Sequence, residues 1–444
     1  MIYEAPAGSA KPRTPGNDPG EQEAMKTRLI KPRASWTLLG LTLLVSACGQ
    51  PADEQINLQA AIDTVDGVTR LAYPEEGAAQ LAWQLDTVAL IGGFGADSDE
   101  YQFDQVGPGS LAGDESGGLY VIDQTGKRVL GYDGGGAFIG SWGREGSGPG
   151  ELQMPVGLGV GRGDTLWILD GSNQRITLLP LDSESEPGSI PFPQGSSMMG
   201  GRIIPVVDGA YGVFAMFSFR PGDDAGPPPR PLVRLGHDGT ASDTVWEAPA
   251  LRMDRIEVVS GNRVMVMMAQ QSFAPRFHWD RFENGTFALA DGPEYDIRVV
   301  GPDGLERFRI QRDPAARLTT TDDEEFERDR LREASVEGNF PGAEEMMEKR
   351  LEALTFADRV PRITGLAVDG QNRLWVGVSV TRPGETDRID VYGPEGSLLG
   401  EIRAPEFFPD LFYGDGLVAR ITADELDVQQ IVVYQLVENG AGSD

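Results

Sequence analysis

The chain has 444 residues and a formal charge of −31, from 38 Lys and Arg against 69 Asp and Glu. So acidic a surface repels phosphate backbones and excludes nucleic acid as a partner, and a single Cys excludes a disulfide framework, so the fold stands on packing alone. With 40% hydrophobic residues, 58 Gly and 31 Pro, the composition describes many short strands and turns around an ample core.

The N-terminus reads as an address. Residues 1–24 are polar and rich in Pro and Gly, and they precede a complete signal peptide that begins well at Met25, the expected true start. Lys26, Arg28, Lys31 and Arg33 give a positive segment, and Ala34–Ala47 gives an apolar run too short for an ordinary membrane span. Val45-Ser-Ala-Cys48 resembles the lipobox of bacterial lipoproteins. That resemblance implies cleavage before Cys48, lipidation of its thiol and new amine, and a membrane partner through the anchor. Gly49 follows the Cys, which by the same analogy leans towards the outer membrane, facing the periplasm. Residues 1–48 are thus extension and signal, 49–80 a polar tether, and 81–444 the working domain.

That domain repeats one unit: a short strand of small and branched residues, a Gly/Asp/Asn turn, and a second strand with an early aromatic. Gly143–Asp170 and its echo Ile363–Val378 show it best. A repeat of this kind predicts four-stranded blades arrayed radially. With strands lettered a to d from the axis outward, blade one takes Leu111–Asp114, Leu119–Asp123, Arg128–Tyr132 and Ala137–Trp142. Blade two takes Val156–Val160, Thr165–Asp170, Arg175–Leu179 and Ser189–Phe192. The Asp residues closing their b strands, Asp123 and Asp170, are 47 positions apart. Blade three takes Arg202–Val207, Gly212–Phe217, Pro231–Leu235 and Ser242–Glu247. Blade four takes Arg255–Val259, Arg263–Ala269, Tyr295–Val300 and Glu306–Ile310. Blade five takes Ile363–Val368, Arg373–Val378, Arg388–Tyr392 and Leu398–Arg403. Blade six has only Gly416–Ile421, Asp424–Val428 and Gln430–Leu436, and its fourth strand is expected from Leu81–Ile91. The expected fold is an all-β, six-bladed propeller with a helical hairpin inserted at 315–360.

Gly143–Asp170 followed by Asn173-Gln-Arg175 resembles the NHL-repeat type of six-bladed propeller, in which a Gly-Pro-Gly-Glu loop leads into an inner strand and an Asn-x-Arg turn joins b to c. The match is strong over blades one, two and five. The resemblance implies a binding platform and no single chemistry.

The long connections are expected on one face. They are Gly143–Pro155, Arg220–Arg230, Gln271–Glu294, Ala315–Val360 and Thr381–Asp387, all b–c or d–a segments. Such a face is where a rigid scaffold presents function. In Ala315–Val360, Thr321-Asp-Asp-Glu324 has the spacing of a capping box, the first helix runs to about Ser335, Asn339-Phe-Pro-Gly342 breaks it, and Met346, Met347, Leu351 and Leu354 make one stripe on a second helix that packs down on the disc. Gln271–Glu294, read as a b–c loop, carries Phe273, Arg276, Phe277, His278, Trp279 and Arg281, the aromatic and Arg composition of binding hot spots. These six residues are the candidate binding surface.

Chemistry is sparse. His237 falls in a c–d turn and His278 in the aromatic segment, on opposite faces, so no zinc site of several His is available. No Gly-x-Ser-x-Gly elbow occurs, and Gly146–Gly150 lacks the Lys-Ser/Thr of a phosphate loop. Lactonases of six-bladed propellers hold calcium or zinc through Glu, Asn and Asp at the channel; Asp, Glu and Asn are plentiful here, so a calcium site stays open. Asp123, Asp170 and Asp369 at strand ends read as turn caps. The sequence points to no catalytic residue and no resident cofactor. It points to a lipid-anchored envelope propeller that binds or scaffolds a protein, peptide or glycan, with a calcium-dependent lactonase-like hydrolase as the alternative.

Overall fold

A computed structural model describes residues 58–94, 98–103, 105–182, 184–193, 201–213, 230–250, 253–260, 263–333 and 343–438. They belong to one compact unit, Gln55–Asp444. The signal segment with Cys48, most of the Arg220–Arg230 loop and the Asn339–Gly342 break lie outside the described residues.

The order begins with a hairpin, β1 (Ala61–Val65) and β2 (Val68–Tyr73), and then β3 (Trp83–Gly92). Blade one is β4 (Leu111–Gly113), β5 (Leu119–Asp123), β6 (Arg128–Tyr132) and β7 (Phe138–Trp142). Blade two is β8 (Pro155–Gly161), β9 (Thr165–Asp170), β10 (Arg175–Pro180) and β11 (Gly188–Pro191). Blade three is β12 (Ile203–Val206), β13 (Gly209–Val213), β14 (Arg230–Leu235) and β15 (Ala241–Ala248). A separate hairpin follows, β16 (Met253–Ser260) with β17 (Arg263–Gln270). Blade four is β18 (His278–Arg281), β19 (Phe287–Ala290), β20 (Asp296–Val300) and β21 (Glu306–Arg312), and β2 extends it by pairing parallel to β21. The insert supplies α1 (Thr321–Glu333) and α2 (Ala343–Glu352). Blade five is β22 (Ile363–Val368), β23 (Leu374–Val378), β24 (Arg388–Tyr392) and β25 (Leu398–Arg403). Blade six is β26 (Leu411–Tyr413), β27 (Leu417–Ala423) and β28 (Gln429–Glu438), completed by β3. The protein is a six-bladed β-propeller, closed by the register Gln430↔Gly92 through Glu438↔Trp83.

Blades stack face to face, so their central strands are buried on both sides. That is why β5 and β23 read as near-continuous apolar runs and are buried along their whole length, as is β24, whose Arg388 and Asp390 are paired. The outer strand β7 keeps the alternation of a half-exposed sheet. The described core falls into six apolar clusters, one per pair of neighbouring blades. Ile91 and Val433 meet Leu119 and Leu130 between blades six and one. Trp167 and Ile190 meet Ile203 and Val233 between blades two and three. The inner strands converge on the axis, and this is where glycine is required. A Cβ on Gly157 would stand 2.3 Å from the Gly201 carbonyl oxygen, and one on Gly159 would stand 2.7 Å from that of Ile203.

Several expectations need correction. The strands expected as a and b of blade four, Arg255–Val259 and Arg263–Ala269, instead form the separate β16–β17 hairpin, inserted between blades three and four. The true inner strands are β18 and β19, so Gln271–Glu294 is no loop. In blade six the strand expected first, Gly416–Ile421, is second, Asp424–Val428 is a turn, and the short β26 is the inner strand. The helix cap sits one residue early: Thr320 Oγ1 accepts from the Asp323 amide at 3.3 Å and the Asp323 carboxylate accepts from the Thr320 amide at 2.9 Å, a reciprocal box. Arg317 donates to that carboxylate at 2.7 Å, and this bond first, then the Thr320 bonds, holds the Asp323 carboxyl at about 2. Within the stretch read as a tether, Ala61–Tyr73 forms the β1–β2 hairpin on the edge of blade four.

Ile91 is fully buried in the closing strand, and Leu90 beside it points outward at 59% exposure. Ile91→Ala is expected to lower unfolding stability by about 3 kcal/mol, while Leu90→Ala changes it by less than about 0.5 kcal/mol. Chemical denaturation of the two variants measures both values.

Candidate functional site

The six inner strands surround one cavity of about 1030 Å³. Each contributes wall: Leu111 and Ala112 from β4, Leu158 from β8, Ile203 from β12, His278 and Trp279 from β18, Leu366 from β22 and Leu411 from β26. A volume of this order accommodates a drug-sized organic ligand. The wall is mostly aliphatic and glycine because the strands must approach one another closely at the axis.

Among the described residues its charged side chains are mainly arginines: Arg202, Arg230 and Arg276 against one carboxylate, Asp410. Arg202 is neutralised by the buried Asp280 at 2.7 Å. The second Asp280 role is structural, since its carboxylate also accepts from the Val368 amide of blade five at 2.7 Å. Arg230 donates Nε–H to the Pro249 carbonyl at 3.0 Å and lies 6.0 Å over the Phe277 ring, with no carboxylate partner among the described residues. Burial pushes the Asp410 carboxyl up, against the Ile421 amide bond at 2.8 Å and the Arg420 charge. His278 is half-buried beside two guanidinium groups of the imidazolium's own sign: burial, then Arg276, then Arg230 push its imidazole down from 6.5 to about 4. The ring is therefore neutral at physiological pH.

A second chamber of about 490 Å³ adjoins the cavity and shares Gln270, Arg276, His278 and Thr364 with it. Its far wall is the helical insert, through Phe326, Glu327, Arg330 and Leu331 of α1 and Arg350 of α2. The insert is fastened to the lead-in of blade four. Ser272 donates its amide to Thr355 and accepts at its carbonyl from the Ala357 amide, both at 2.9 Å. The Phe273 and Phe356 rings stand 5.6 Å apart. Arg382 of the blade-five b–c loop lies 5.2 Å over Phe326. Leu351 of the apolar stripe is buried.

The six expected surface residues are therefore divided. Arg276, Phe277 and His278 face the cavity, and Trp279 both lines it and packs among the blade three and four side chains, 6.4 Å from Phe287. Phe273 anchors the insert, and Arg281 lies 5.9 Å over Tyr211. The chamber residues of α1 and α2 carry no signal in the sequence beyond helical spacing, and the Met-Leu stripe does not include Arg350. The three strand-end aspartates hold turns. Asp123 takes the Gly126 amide and Arg128, Asp170 takes the Gln153 and Met154 amides with Asn173, and Asp369 takes Arg373 and Trp375 Nε1. Asn173 and Arg175 of the Asn-x-Arg turn clamp the Gly143–Pro155 loop by donating to the carbonyls of Gly146, Gly148 and Glu151. His237 packs 5.6 Å from Trp167, away from the cavity wall. Among the described residues no three His, Cys, Asp or Glu side chains group to hold a metal ion.

No family model matches the chain. No curated protein matches it. Solved structures resemble it remotely. An exported protein of Bacteroides fragilis is 13% identical at a TM-score of 0.45, covering 83% of this chain and 99% of its own. A streptogramin B lyase is 11% identical at 0.37, covering 82% and 100%. A gluconolactonase of Xanthomonas campestris is 15% identical at 0.37, covering 75% and 87%. These likenesses are too remote to carry a function across, and the NHL resemblance stands on its motif residues alone.

The unfolded chain protonates His278 near 6.5 and the folded protein only near about 4, so the unfolded state binds the extra proton between them. The stability this neutral ring contributes is complete above pH 6.5 and is lost as pH falls towards 4. Thermal midpoints from pH 7 to 5 are expected to fall less steeply in His278→Gln than in the native protein; equal slopes would contradict the placement of the ring.

Proposed function

We propose that the protein is a binding propeller of the cell envelope, anchored through lipid at Cys48, which takes its ligand at the central cavity rather than on an outer loop. One observation carries this: a single space is walled by all six inner strands, and the hot-spot residues Arg276, Phe277 and His278 line it. A glycan or peptide segment suits an aliphatic wall with a few polar groups that fix orientation. The anchor rests on the Val45–Cys48 pattern and its signal peptide. Among the described residues no helix is long and apolar enough to cross a membrane.

The hydrolase alternative needs carboxylates that converge on a cation. The described donors at the cavity, three arginines and one carboxyl raised by burial, suit a cation poorly. Equilibrium dialysis is expected to show no stoichiometric calcium, and calcium is expected to shift the thermal midpoint of neither the native protein nor Asp410→Asn. One tightly held calcium that is lost in Asp410→Asn would favour the hydrolase.

The binding reading is tested by photo-crosslinking. Benzoylphenylalanine in place of the half-buried Thr364 is expected to capture a ligand from envelope extract, and the same group in place of the outward Ile139, 50% exposed, is not. Equal labelling at both positions, or none at Thr364, would overturn it. Cys48→Ser is expected to move the protein from the membrane to the soluble fraction.

A further inference from the structure

We propose that the chamber between the helical insert and the cavity mouth is an anion site, in which Arg276 and Arg350 hold the carboxylate or phosphate group of a ligand whose neutral remainder lies in the central cavity. This rests on the reading that the cavity is the binding site, and it adds the chemistry of the ligand.

The first observation is Arg350. Its Nε is buried without any hydrogen-bond partner, and no carboxylate pairs with it among the described residues. A guanidinium is a planar fork of donors that keeps its charge, so a buried one without an acceptor is costly. Arg281, Arg362 and Arg388 also bury an Nε without a hydrogen-bond partner, but Arg362 and Arg388 have carboxylates beside them and Arg281 lies over the Tyr211 ring. Arg312 is buried against Asp390 at 2.6 Å and Glu401 at 2.8 Å. Arg330, in the same chamber as Arg350, holds Glu327 at 2.7 and 2.8 Å. In a chain with 69 acidic residues, an arginine on a chamber wall with no carboxylate partner among the described residues suits an acceptor from outside.

The second observation is Arg276, on a different segment but facing the same chamber. It is exposed and has no carboxylate partner among the described residues. Of the described carboxylates on the chamber wall, Glu327 is held by Arg330, and Glu385 is exposed to solvent 3.7 Å from Arg382. The third observation is that His278, on the wall shared with the cavity, stands beside Arg276 and Arg230 and, kept neutral first by burial, brings no negative charge to compete for them. Two arginine forks suit the oxygens of a carboxylate or phosphate in a way that lysine does not. Chamber and cavity share Gln270, Arg276, His278 and Thr364 as wall, so they lie side by side, and the proposal has one ligand reach from one into the other. The net charge of the chain repels anions from a distance, so the attraction is local and salt-sensitive.

Calorimetry with inorganic phosphate, succinate and phosphatidylglycerol vesicles tests this on the full chain. Phosphate or succinate is expected to bind at low salt and to weaken by about tenfold or more in about 0.3 M salt. Arg276→Gln and Arg350→Gln are each expected to weaken binding by about tenfold, while Arg332→Gln, on the exposed side of α1 against Asp329, leaves it unchanged. Vesicles alone producing an arginine-dependent signal would assign the anion to a lipid headgroup; phosphate or succinate alone assigns it to a soluble ligand. Arg350→Met is expected to keep or raise the thermal midpoint of the ligand-free protein and to abolish the increase that phosphate gives. Binding by no probe, or binding that neither Arg276→Gln nor Arg350→Gln weakens, would overturn the proposal. If Thr364 still captures a ligand under that result, only the anion chemistry falls; if it does not, the cavity reading falls with it.

Discussion

Strand β3 closes the ring by lying antiparallel along β28, ten residues against ten from opposite ends of the domain. A propeller has no other seam, and an open one would expose two sheet faces and a long strand edge. Because each blade buries apolar surface only against its two neighbours, closure turns five interfaces into six. Arg373 guards the outer end of the seam. It lies 4.7 Å over the Trp83 ring, holds Asp369 at 2.7 Å and bonds Glu438, the register partner of Trp83. Trp83 in turn stands 4.6 Å from Trp375 of blade five. The cavity exists only as a consequence: six inner strands face one axis because the outer rim is sealed.

A second restraint lies between blades four and five. Arg312 of β21, Asp390 of β24 and Glu401 of β25 form a buried ionic group, joined by Arg388 and, from the segment after β2, by Glu75. Its members are supplied with partners, and removing one would leave a buried charge unmatched. The group therefore fixes how these two blades meet beneath the helical insert, which follows β21 directly. Position of the insert, and with it of Arg350, depends on this arrangement.

Blades one, two and five were legible to within a residue or so because their central strands are buried on both faces and their turns carry Asp and Gly at fixed offsets, as in Asp369-Gly-Gln-Asn-Arg373. Closure by Leu81–Ile91 was legible because blade six ran out of chain. Blade four misled for a physical reason. The hairpin Met253–Gln270 has two strand-like runs of its own, whereas the true inner strands are four residues each and carry His278, Asp280 and Arg281, polar groups explained only by tertiary partners such as Arg202 and the Val368 amide. A local signal was present. Asn284-Gly285 between two short runs marks a tight hairpin, and Asn284 Oδ1 indeed accepts from the Thr286 amide at 2.9 Å. At the site, composition picked out Arg276, Phe277 and His278. Arg350 could not be picked out, because its significance is a missing partner, which only three dimensions reveal.

The account joins an acidic exterior to an arginine-bearing interior, and both follow from the seam that holds the six inner strands around one space. Hydrogen exchange of the native protein, followed by mass spectrometry of peptides covering Trp83–Gly92 and Gln429–Glu438, tests that seam most directly. The account predicts that the two peptides share the slow exchange of the central strands β5 and β23. Fast exchange along Trp83–Gly92, with protection kept in β5 and β23, would mean that the ring is open and would contradict it.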